Sequence, residues 1–236
     1  MPLIQLKNIE KIYSDGTQAL RGVSFDINKG EFTAIMGPSG SGKSTLLHII
    51  GFLDSQTGGE YHFSDKTATD HSDEEIAKIR NQKMGFIFQS FNLLPKTTVL
   101  ENVKLPLLYS DKKESSWNGL AMKAIKAVGL EHRADHLAYQ LSGGEKQRAA
   151  IARALVNKPD VIFADEPTGN LDSKSGQMVM ATIQKLNEED GHTIILVTHE
   201  TYTAEHASRI IHIIDGKVAS DKQTQHRHHA SKHFEK

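Results

Sequence analysis

The sequence predicts an α/β fold with a parallel-sheet core, an antiparallel β layer and a helical subdomain. Two observations predict the core. A short apolar strand at residues 32–36 leads through a glycine-rich turn into a helix, and helical and strand patterns alternate after residue 141. A third observation predicts the subdomain, because strand signals stop between residues 90 and 140 and helical patterns replace them.

The N-terminal part of the chain predicts the antiparallel layer, with strands at residues 3–13, 19–27 and 61–63. Residues 54–73 are polar and carry turns. Ser72 is followed three positions later by Glu75, a capping box that predicts the start of a short helix. In the helical subdomain, helices are predicted at residues 99–108 and 119–128.

Residues 37–45 read GPSGSGKST and lie between the apolar strand and a helix predicted at residues 44–52. They fit the G-x-x-x-x-G-K-[ST] pattern, in which backbone N–H groups and a helix N-terminus surround a phosphate. Lys43 is predicted to reach the β- and γ-phosphates and Ser44 to bind Mg²⁺. The alternative is a glycine-rich turn with an incidental lysine. The predicted nucleotide-binding residues here are Gly37, Pro38, Ser39, Gly40, Ser41, Gly42, Lys43, Ser44 and Thr45.

Residues 161–164 form a continuous apolar run that ends in Asp165 and Glu166. Such a run is typical of a parallel strand covered on both faces. Because ligands of open α/β sheets bind at the carboxyl ends of the strands, these carboxylates are expected beside the phosphate loop. Asp165 is predicted to hold Mg²⁺, and Glu166 to act as the general base for an attacking water. The alternative is an acidic surface turn.

Residues 141–148 read LSGGEKQR and begin a helix predicted at residues 142–157. Ser142 and Glu145 form a capping box, which by itself explains the serine. Gly143 and Gly144 each cost about 1 kcal/mol relative to alanine in a helix, and capping does not require them. Close approach of a ligand would explain them, so a second anion site is predicted at this helix N-terminus.

These three segments, in this order, resemble the ATP-binding cassette (ABC) ATPases, which have a P-loop NTPase fold. The resemblance covers residues 3–221 and implies one ABC ATPase domain at residues 1–221. The helical subdomain would span about 90–140, with the signature helix at 142–157. FIFQSFNLLPKTTVLENVKLPL and DEPTGNLDS look like the subgroup of lipoprotein-release, macrolide-export and antimicrobial-peptide-resistance ATPases.

The resemblance implies further site residues. Tyr13 would stack on adenine, Gln89 would sense Mg²⁺ and the γ-phosphate after a strand predicted at 84–88, and His199 would contact the γ-phosphate. Asp172 would cross to a partner subunit, although a helix N-cap also explains it. The alternative for Tyr13 is a packing residue. A Gln at a strand end carries no information alone, and an isolated His is weak evidence. The implied catalytic residues are Glu166, His199 and Gln89, and the implied Mg²⁺ ligands are Ser44, Gln89 and Asp165.

The family also implies an assembly. Ser142, Gly143 and Gly144 would face the γ-phosphate held by another subunit's phosphate loop, so each ATP would lie between two copies of the chain in a homodimer. Hydrolysis of ATP does not by itself move a substrate, so a membrane-spanning permease is implied as well. Phe91, Leu93, Leu94 and Pro95 form an apolar loop that would meet it, although some of these side chains should pack inside the subdomain.

The implied function is hydrolysis of ATP to ADP and phosphate, which powers export or extraction of a substrate by the separate permease. Two alternatives remain open. The chain could be a mechanotransmitter that regulates a membrane protein in cell division or cell-wall remodelling. It could also be a soluble cassette ATPase of the iron–sulfur assembly type.

Composition narrows the partners and the location. The 28 Lys and Arg residues balance 29 Asp and Glu residues, so no basic field favours nucleic acid. The absence of cysteine excludes disulfides and thiol chemistry. The chain starts without a secretory signal pattern and lacks an apolar run of about 18 residues, so a cytoplasmic protein on the inner face of the membrane is expected.

Residues 222–236 are polar and histidine-rich and predict a solvated, disordered tail. Weak binding of a transition metal is the alternative, although no defined spacing supports it. The histidines concerned are His226, His228, His229 and His233.

Overall fold

The structure is a computed structural model that describes residues 2–64 and 66–229, and it has the predicted α/β architecture. The strands are β1 Ile4–Ile12, β2 Gln18–Ile27, β3 Phe32–Met36, β4 Gly58–Phe63, β5 Lys66–Thr67, β6 Met84–Ile87, β7 Val161–Asp165, β8 Thr193–Thr198, β9 Arg209–Ile214 and β10 Lys217–Gln223. The α-helices are α1 Lys43–Ile50, α2 Asp73–Lys83, α3 Val99–Lys104, α4 Trp117–Ala127, α5 Gly143–Leu155, α6 Ser173–Glu188 and α7 Thr201–Ala204. Short 3₁₀ helices include Leu105–Tyr109.

The strands form two sheets. The larger has the order β10-β9-β3-β8-β7-β6, and the smaller the order β2-β1-β4-β5. In the larger sheet all neighbours are parallel except β9 and β10. In the smaller sheet all neighbours are antiparallel. The parallel core and the antiparallel layer are therefore both as predicted, with an antiparallel strand added at the edge of the core.

The larger sheet is buried on both faces. Alternate side chains of its strands point to opposite sides, and each side packs in a different core. On β7, Ile162 packs in a core with the helices of the 90–190 region, whereas Phe163 packs in a second core between the two sheets. Helix α1 lies in this second core, where Leu46, Leu47 and Ile50 are fully buried. Apolar contacts therefore fix the position of this helix.

Some predicted boundaries move. The helix expected at residues 99–108 divides into α3 and the 3₁₀ helix Leu105–Tyr109, where Pro106 has no N–H to donate to an α-helical ladder. Strand β6 ends at Ile87, one residue before the predicted end, so Gln89 lies two residues beyond the strand. The capping box at Ser72 is confirmed, since its hydroxyl accepts from the Glu75 amide and the Glu75 carboxylate accepts from the Ser72 amide.

The tail predicted to begin at residue 222 is corrected. Lys222 and Gln223 belong to β10, where Gln223 pairs with Arg209 of β9. The Arg209 guanidinium also binds Asp221 through two hydrogen bonds, of 2.6 and 2.5 Å. Cross-strand pairing and this ion pair outweigh the polar composition that predicted disorder.

Residues 224–229 also lie against the protein. The Thr224 amide donates to the Ser208 carbonyl (2.9 Å), and Arg227 forms an ion pair with Glu188 of α6 (3.0 Å). The His228 ring lies 2.8 Å from a carboxylate oxygen of Glu205. His233 lies outside the described residues. In the part of the chain that the structure describes, no helix combines the length and apolar character that crossing a membrane requires.

A buried histidine lies beneath this segment. His206 is 1% exposed, and its Nδ1 lies 3.0 Å from the Tyr202 carbonyl. Its ring contacts the rings of Tyr202 and His228. Burial lowers the pKa of His206; the hydrogen bond to the Tyr202 carbonyl opposes the shift, and the charges of His228 and Arg227 add to it. His206 is therefore neutral in the fold at pH values where an exposed histidine starts to bind a proton.

We expect acidification to destabilise the wild-type protein more than a His206→Gln variant. Because the folded pKa lies below the unfolded value of about 6.5, the unfolded state binds more protons as the pH falls through that value. The free energy of unfolding therefore decreases as the pH falls from the unfolded pKa to the folded pKa. Glutamine has an uncharged side chain of similar length that does not titrate.

The measurement is the Tm of both proteins at about pH 7.5 and about pH 5.5, on either side of the unfolded histidine pKa. On going to the lower pH, the Tm of the wild type should fall by more than that of the variant. An equal loss in both proteins would show that the pH dependence does not come from His206.

Candidate functional site

The parallel core places three chain segments at one edge of the sheet. Met36 at the end of β3 is in register with Thr198 at the end of β8, and Asp165 at the end of β7 is in register with Val197. The residues that follow these strands therefore emerge side by side. They are the glycine-rich loop, His199 and Glu166, which the sequence predicted to act together.

A cavity of about 930 Å³ opens at this edge, a volume within the usual range for small-molecule sites. It brings together most of the predicted site. Its lining comprises Tyr13, Thr17, Gln18, Ala19, Met36, Gly37, Pro38, Ser39, Gly40, Gly42, Lys43, Ser44, Thr45, Glu166, His199 and His212. Of the predicted loop residues, Ser41 alone is outside the lining, and its hydroxyl is buried without a hydrogen-bond partner among the described residues.

The glycine-rich loop has the geometry of an anion cradle. Gly42 is the N-cap of α1 with φ of 100°, and a Cβ added there would lie 2.6 Å from the Ala19 carbonyl oxygen, so glycine is required. The Lys43 ammonium is buried and donates to the Gly37 and Pro38 carbonyls, each at 2.8 Å. A phosphate oxygen would be a stronger, charge-assisted partner for it than these neutral carbonyls.

Charge at the site also favours phosphate and a divalent cation. Burial lowers the pKa of Lys43, while the nearby charges of Glu166 and Asp165 oppose that shift. Burial raises the pKa of Asp165, and the adjacent charge of Glu166 raises it further, against the effects of His48 and Lys43. A divalent cation would offset both causes for Asp165. Carboxylate and hydroxyl oxygens, such as those of Asp165 and Ser44, are the ligands that Mg²⁺ prefers.

Glu166 and His199 are in direct contact. The Glu166 carboxylate Oε1 lies 2.6 Å from Nδ1 of His199. The Glu166 backbone has φ of 43°, uncommon for a residue with a side chain, and its N–H donates to the Val197 carbonyl at 2.9 Å. Strained backbone of this kind is concentrated at functional sites, because the surrounding structure must maintain it. Here it holds a carboxylate at the edge of the sheet.

Gln89 lies beside the segment that follows Glu166. A Cβ added at Gly169 would be 2.6 Å from the Gln89 amide nitrogen, and the Gln89 carbonyl accepts from the Asn170 side chain at 3.0 Å. Gln89 does not line the cavity. The structure therefore places it next to the acidic loop and outside the cavity wall.

The helix start at Ser142 lies apart from the cavity. Its capping box is confirmed, with the Glu145 amide 3.3 Å from the Ser142 hydroxyl and the Ser142 amide 2.8 Å from the Glu145 carboxylate. Asp172 caps α6 by accepting from the Ser175 amide at 3.0 Å. The residues of this region that do not line the cavity are Ser142, Gly143, Gly144 and Asp172. One chain therefore keeps the two predicted anion sites separate.

Packing within the chain is a further reason for the two glycines, besides the predicted approach of a ligand. A Cβ added at Gly144 would lie 3.0 Å from the Ser175 Cβ, and one at Gly143 would lie 3.2 Å from a Leu171 methyl carbon. Close packing of α5 against the start of α6 therefore favours a small residue at position 144 even without a ligand. Only the neighbouring segments in space show this preference.

Several contributors to the site carry no sequence motif. Thr17, Gln18 and His212 line the cavity. The turn between β9 and β10 supports the loop: the Gly216 N–H donates to the Ser41 carbonyl at 3.0 Å, and the Gly216 carbonyl accepts from the Arg21 backbone N–H at 2.8 Å. The apolar residues of β9 could have predicted a strand, but not its contact with the loop.

Comparison with known proteins agrees with these observations. A family model described as "ABC transporter" matches residues 20–169. The ABC transporter ATP-binding protein MJ0796 of Methanocaldococcus jannaschii is 49% identical over 228 residues, which cover 94% of this chain and 97% of the relative. A dimeric structure of MJ0796 in a post-hydrolysis state bound to ADP and Pi aligns with a TM-score of 0.84 and 46% identity, covering 94% of this chain and 99% of that one.

A second relative is longer than this chain. The macrolide export ATP-binding/permease protein MacB of Bdellovibrio bacteriovorus is 47% identical over 226 residues, which cover 94% of this chain but 34% of the relative. This chain thus spans about a third of the length of that relative.

We expect Gly216→Ala to weaken binding of a triphosphate nucleotide by several-fold. A Cβ added at Gly216 would lie 2.6 Å from the Ala19 carbonyl oxygen. The turn must move to avoid this contact, which disturbs its hydrogen bond to Ser41 in the loop. Displacing preorganised N–H donors weakens an anion site.

Gly191→Ala is the matched control, because Gly191 has φ of 71°, close to the 74° of Gly216, but nothing within 4 Å of an added Cβ. Both variants carry the same backbone strain, so both should lower the Tm. Affinity measured by calorimetry should fall only for Gly216→Ala. Unchanged affinity in that variant would show that the turn does not position the loop.

Proposed function

This chain belongs to the ABC transporter family of ATP-binding proteins, and we propose that it is a nucleotide-binding subunit that hydrolyses ATP to power a membrane-spanning permease. The observation that carries the proposal is the cavity in which the phosphate loop, Glu166 and His199 meet. A phosphate cradle alone is found in many kinds of protein. A carboxylate and an imidazole in contact beside it add the groups that hydrolysis needs.

ATP binding is assigned to the residues that line the cavity. The loop amides and the Lys43 ammonium receive the phosphates, and the positive end of α1 adds to the attraction. Tyr13, which also lines the cavity, offers an aromatic face to the adenine. Mg²⁺ would be held by Ser44 and Asp165, with Gln89 as a further ligand if its side chain turns towards the cavity, and would supply neutralisation of phosphate charge.

In the hydrolysis step, Glu166 accepts a proton from the attacking water, whose oxygen forms a bond to the γ-phosphorus as the bond to the β-γ bridging oxygen breaks. The products are ADP and inorganic phosphate. His199 holds the Glu166 carboxylate through its Nδ1 and stands at the same edge of the sheet as the phosphate loop. Lys43 stays against the phosphate oxygens as their charge redistributes.

The proposed active form is a homodimer. Because Ser142, Gly143 and Gly144 do not line the cavity of their own chain, a second copy would have to supply them. The helix N-terminus of one copy would then face the γ-phosphate held by the other. The dimeric MJ0796 structure bound to ADP and Pi supports this arrangement.

The proposed permease contact is the loop around Leu94. Leu94 is 48% exposed, while Leu93 packs against the helical core. Arg153 of α5 donates to the carbonyls of Phe91 (2.8 Å) and Asn92, which holds two residues of positive φ in place. The loop is therefore shaped by the protein and not merely mobile, as a docking surface requires.

A groove of about 670 Å³ lies beside this loop. Its walls come from β6, α2, α5 and the start of the helical region, and they include Leu53, Phe86, Phe88, Leu105 and Tyr109. Tyr109 is 79% exposed and Leu53 is 44% exposed. An apolar groove of this kind fits a short helix of a membrane protein. We therefore place this chain at the cytoplasmic face of a membrane.

Export or extraction is the proposed direction of transport. It is supported by the relatives named as macrolide export proteins, which match the subgroup that the sequence resembles. The substrate contacts belong to the permease, so the residues of this chain recognise nucleotide and not cargo.

We expect Glu166→Gln to reduce ATP turnover by about 100-fold or more, the usual contribution of a general base. Glutamine keeps the shape but does not accept the proton, so ATP binding should persist and hold the dimer closed. Phosphate release and light scattering with and without ATP measure the two effects.

Glu189→Gln is the control, because Glu189 is exposed at the end of α6 and pairs only with Lys185 among the described contacts. It should retain wild-type turnover and should not trap a dimer. Turnover at the wild-type rate in Glu166→Gln would overturn the assignment of the base.

We expect Leu94→Glu to leave the ATPase activity of the isolated chain unchanged and to abolish its recovery with a multi-span membrane protein. A charge in the centre of an apolar contact is costly when it is buried without a partner. The measurement is co-purification from detergent-solubilised membranes, with Glu166→Gln and ATP holding the closed state. Ala127→Glu, at an exposed position on α4, is the control for added charge. Full recovery of the partner with Leu94→Glu would move the contact elsewhere.

A further inference from the structure

Lys11 is a buried cation that no part of the proposed reaction uses. It lies on β1, two positions before Tyr13, which follows the end of that strand. Lys11 is 9% exposed, although lysine is seldom buried without a specific partner. Its Nζ donates to a carboxylate oxygen of Asp54 at 2.6 Å and to the Ser55 carbonyl at 2.7 Å.

The same ammonium lies against the tyrosine ring. Lys11 Nζ is 5.1 Å from the ring centroid of Tyr13, within the range of a cation–π interaction. Tyr13 is 38% exposed and lines the cavity that contains the phosphate loop. One face of the ring is thus held by a fixed charge, which leaves the ring available as a platform for a flat ligand.

Lys11 and Tyr13 both contact residues near the ends of α1. Asp54 lies just beyond the end of α1, and its amide donates to the His48 carbonyl at 3.2 Å. The Tyr13 hydroxyl lies 3.2 Å from the hydroxyl of Thr45, near the start of α1. The helix that begins at the phosphate loop is therefore joined at one end to Tyr13 and at the other to Lys11.

We propose that Lys11 is a positioning residue that fixes the aromatic platform Tyr13 to α1, and so sets the affinity for the base of the nucleotide separately from the affinity for its phosphates. The proposal rests on the proposed nucleotide-binding function. Because the apolar side chains of α1 are buried in the core between the sheets, the helix acts as a rigid spacer between the base platform and the phosphate loop. A platform already in place avoids the entropy cost of ordering it on binding.

The charges around Lys11 fit this role. Burial raises the pKa of Asp54, but the hydrogen bond from Lys11, helped by the Ser55 amide, brings it below its usual value overall. Asp54 is therefore ionised at neutral pH and keeps the ammonium in place. The pair is close to neutral as a whole, so it attracts the phosphates little and acts on the ring that it touches.

The test compares binding of ATP with binding of inorganic tripolyphosphate, which has phosphates but no base. Lys11→Met keeps the apolar stem and removes the charge. It should weaken ATP binding by about three- to ten-fold, the range expected for a largely desolvated cation–π contact. Tripolyphosphate affinity should stay at the wild-type value. Lys11→Arg, which keeps the charge, should retain most of the ATP affinity.

A double-mutant cycle shows whether Lys11 acts through Tyr13. In a Tyr13→Leu background, Lys11→Met should cause no further loss of ATP affinity, because the ring that it positions is absent. If Lys11→Met folds poorly because Asp54 loses its partner, Lys11→Met combined with Asp54→Asn removes both charges and leaves neither unpaired. The same selective loss of ATP affinity is expected for the combined variant.

Three results would overturn the proposal: an equal loss for ATP and tripolyphosphate, no loss for ATP, or the same loss with and without Tyr13. Failure of the proposed function is distinguishable from these results. In that case the wild-type protein itself would bind neither ATP nor tripolyphosphate.

Discussion

The parallel alignment of β3, β8 and β7 is the constraint on which the rest of the site depends. Parallel strands end at the same edge of a sheet, and their register here places the residues after Met36, Asp165 and Thr198 next to one another. No long-range side-chain contact is needed to assemble the loop, the carboxylate and the histidine. The burial of both sheet faces fixes the register, because a shift by one residue would move apolar side chains to the wrong face.

Much of the fold and part of the site could be predicted because the signals are local. Continuous apolar strands, a glycine-rich turn and the capping boxes at Ser72 and Ser142 each act within a few residues. Polar composition misled the prediction beyond residue 221, because pairing of β10 with β9 and the Arg209–Asp221 ion pair depend on residues distant in the chain. The need for a small residue at Gly144 likewise depends on α6, which no local pattern around position 144 reveals.

The proposed site has two kinds of support. The phosphate loop is held by backbone groups, including the Gly216 N–H on the Ser41 carbonyl, and these contacts depend on chain path more than on side-chain identity. The base platform is held by side chains, with Lys11 and Thr45 in contact with Tyr13. Backbone contacts suit phosphate, which presents oxygen acceptors in all directions. A flat base instead needs an aromatic surface held at a fixed position. The phosphates and the base of the ligand thus need different kinds of contact, which explains why backbone groups support the loop and side chains support the ring.

The contact between Glu166 and His199 bears on when hydrolysis can occur. In a single chain the carboxylate is already engaged by the imidazole at 2.6 Å, and the Ser142 helix start does not reach the cavity. A base in this position has its geometry fixed before any water is present, since its backbone has a strained φ and its N–H is bound to Val197. What a single chain lacks is the second set of donors on the γ-phosphate. Closure by another copy would add donors that stabilise charge on the γ-phosphate, whereas the base is already in place. Under the proposed function, dimerisation therefore controls turnover by completing the γ-phosphate contacts and not by positioning Glu166.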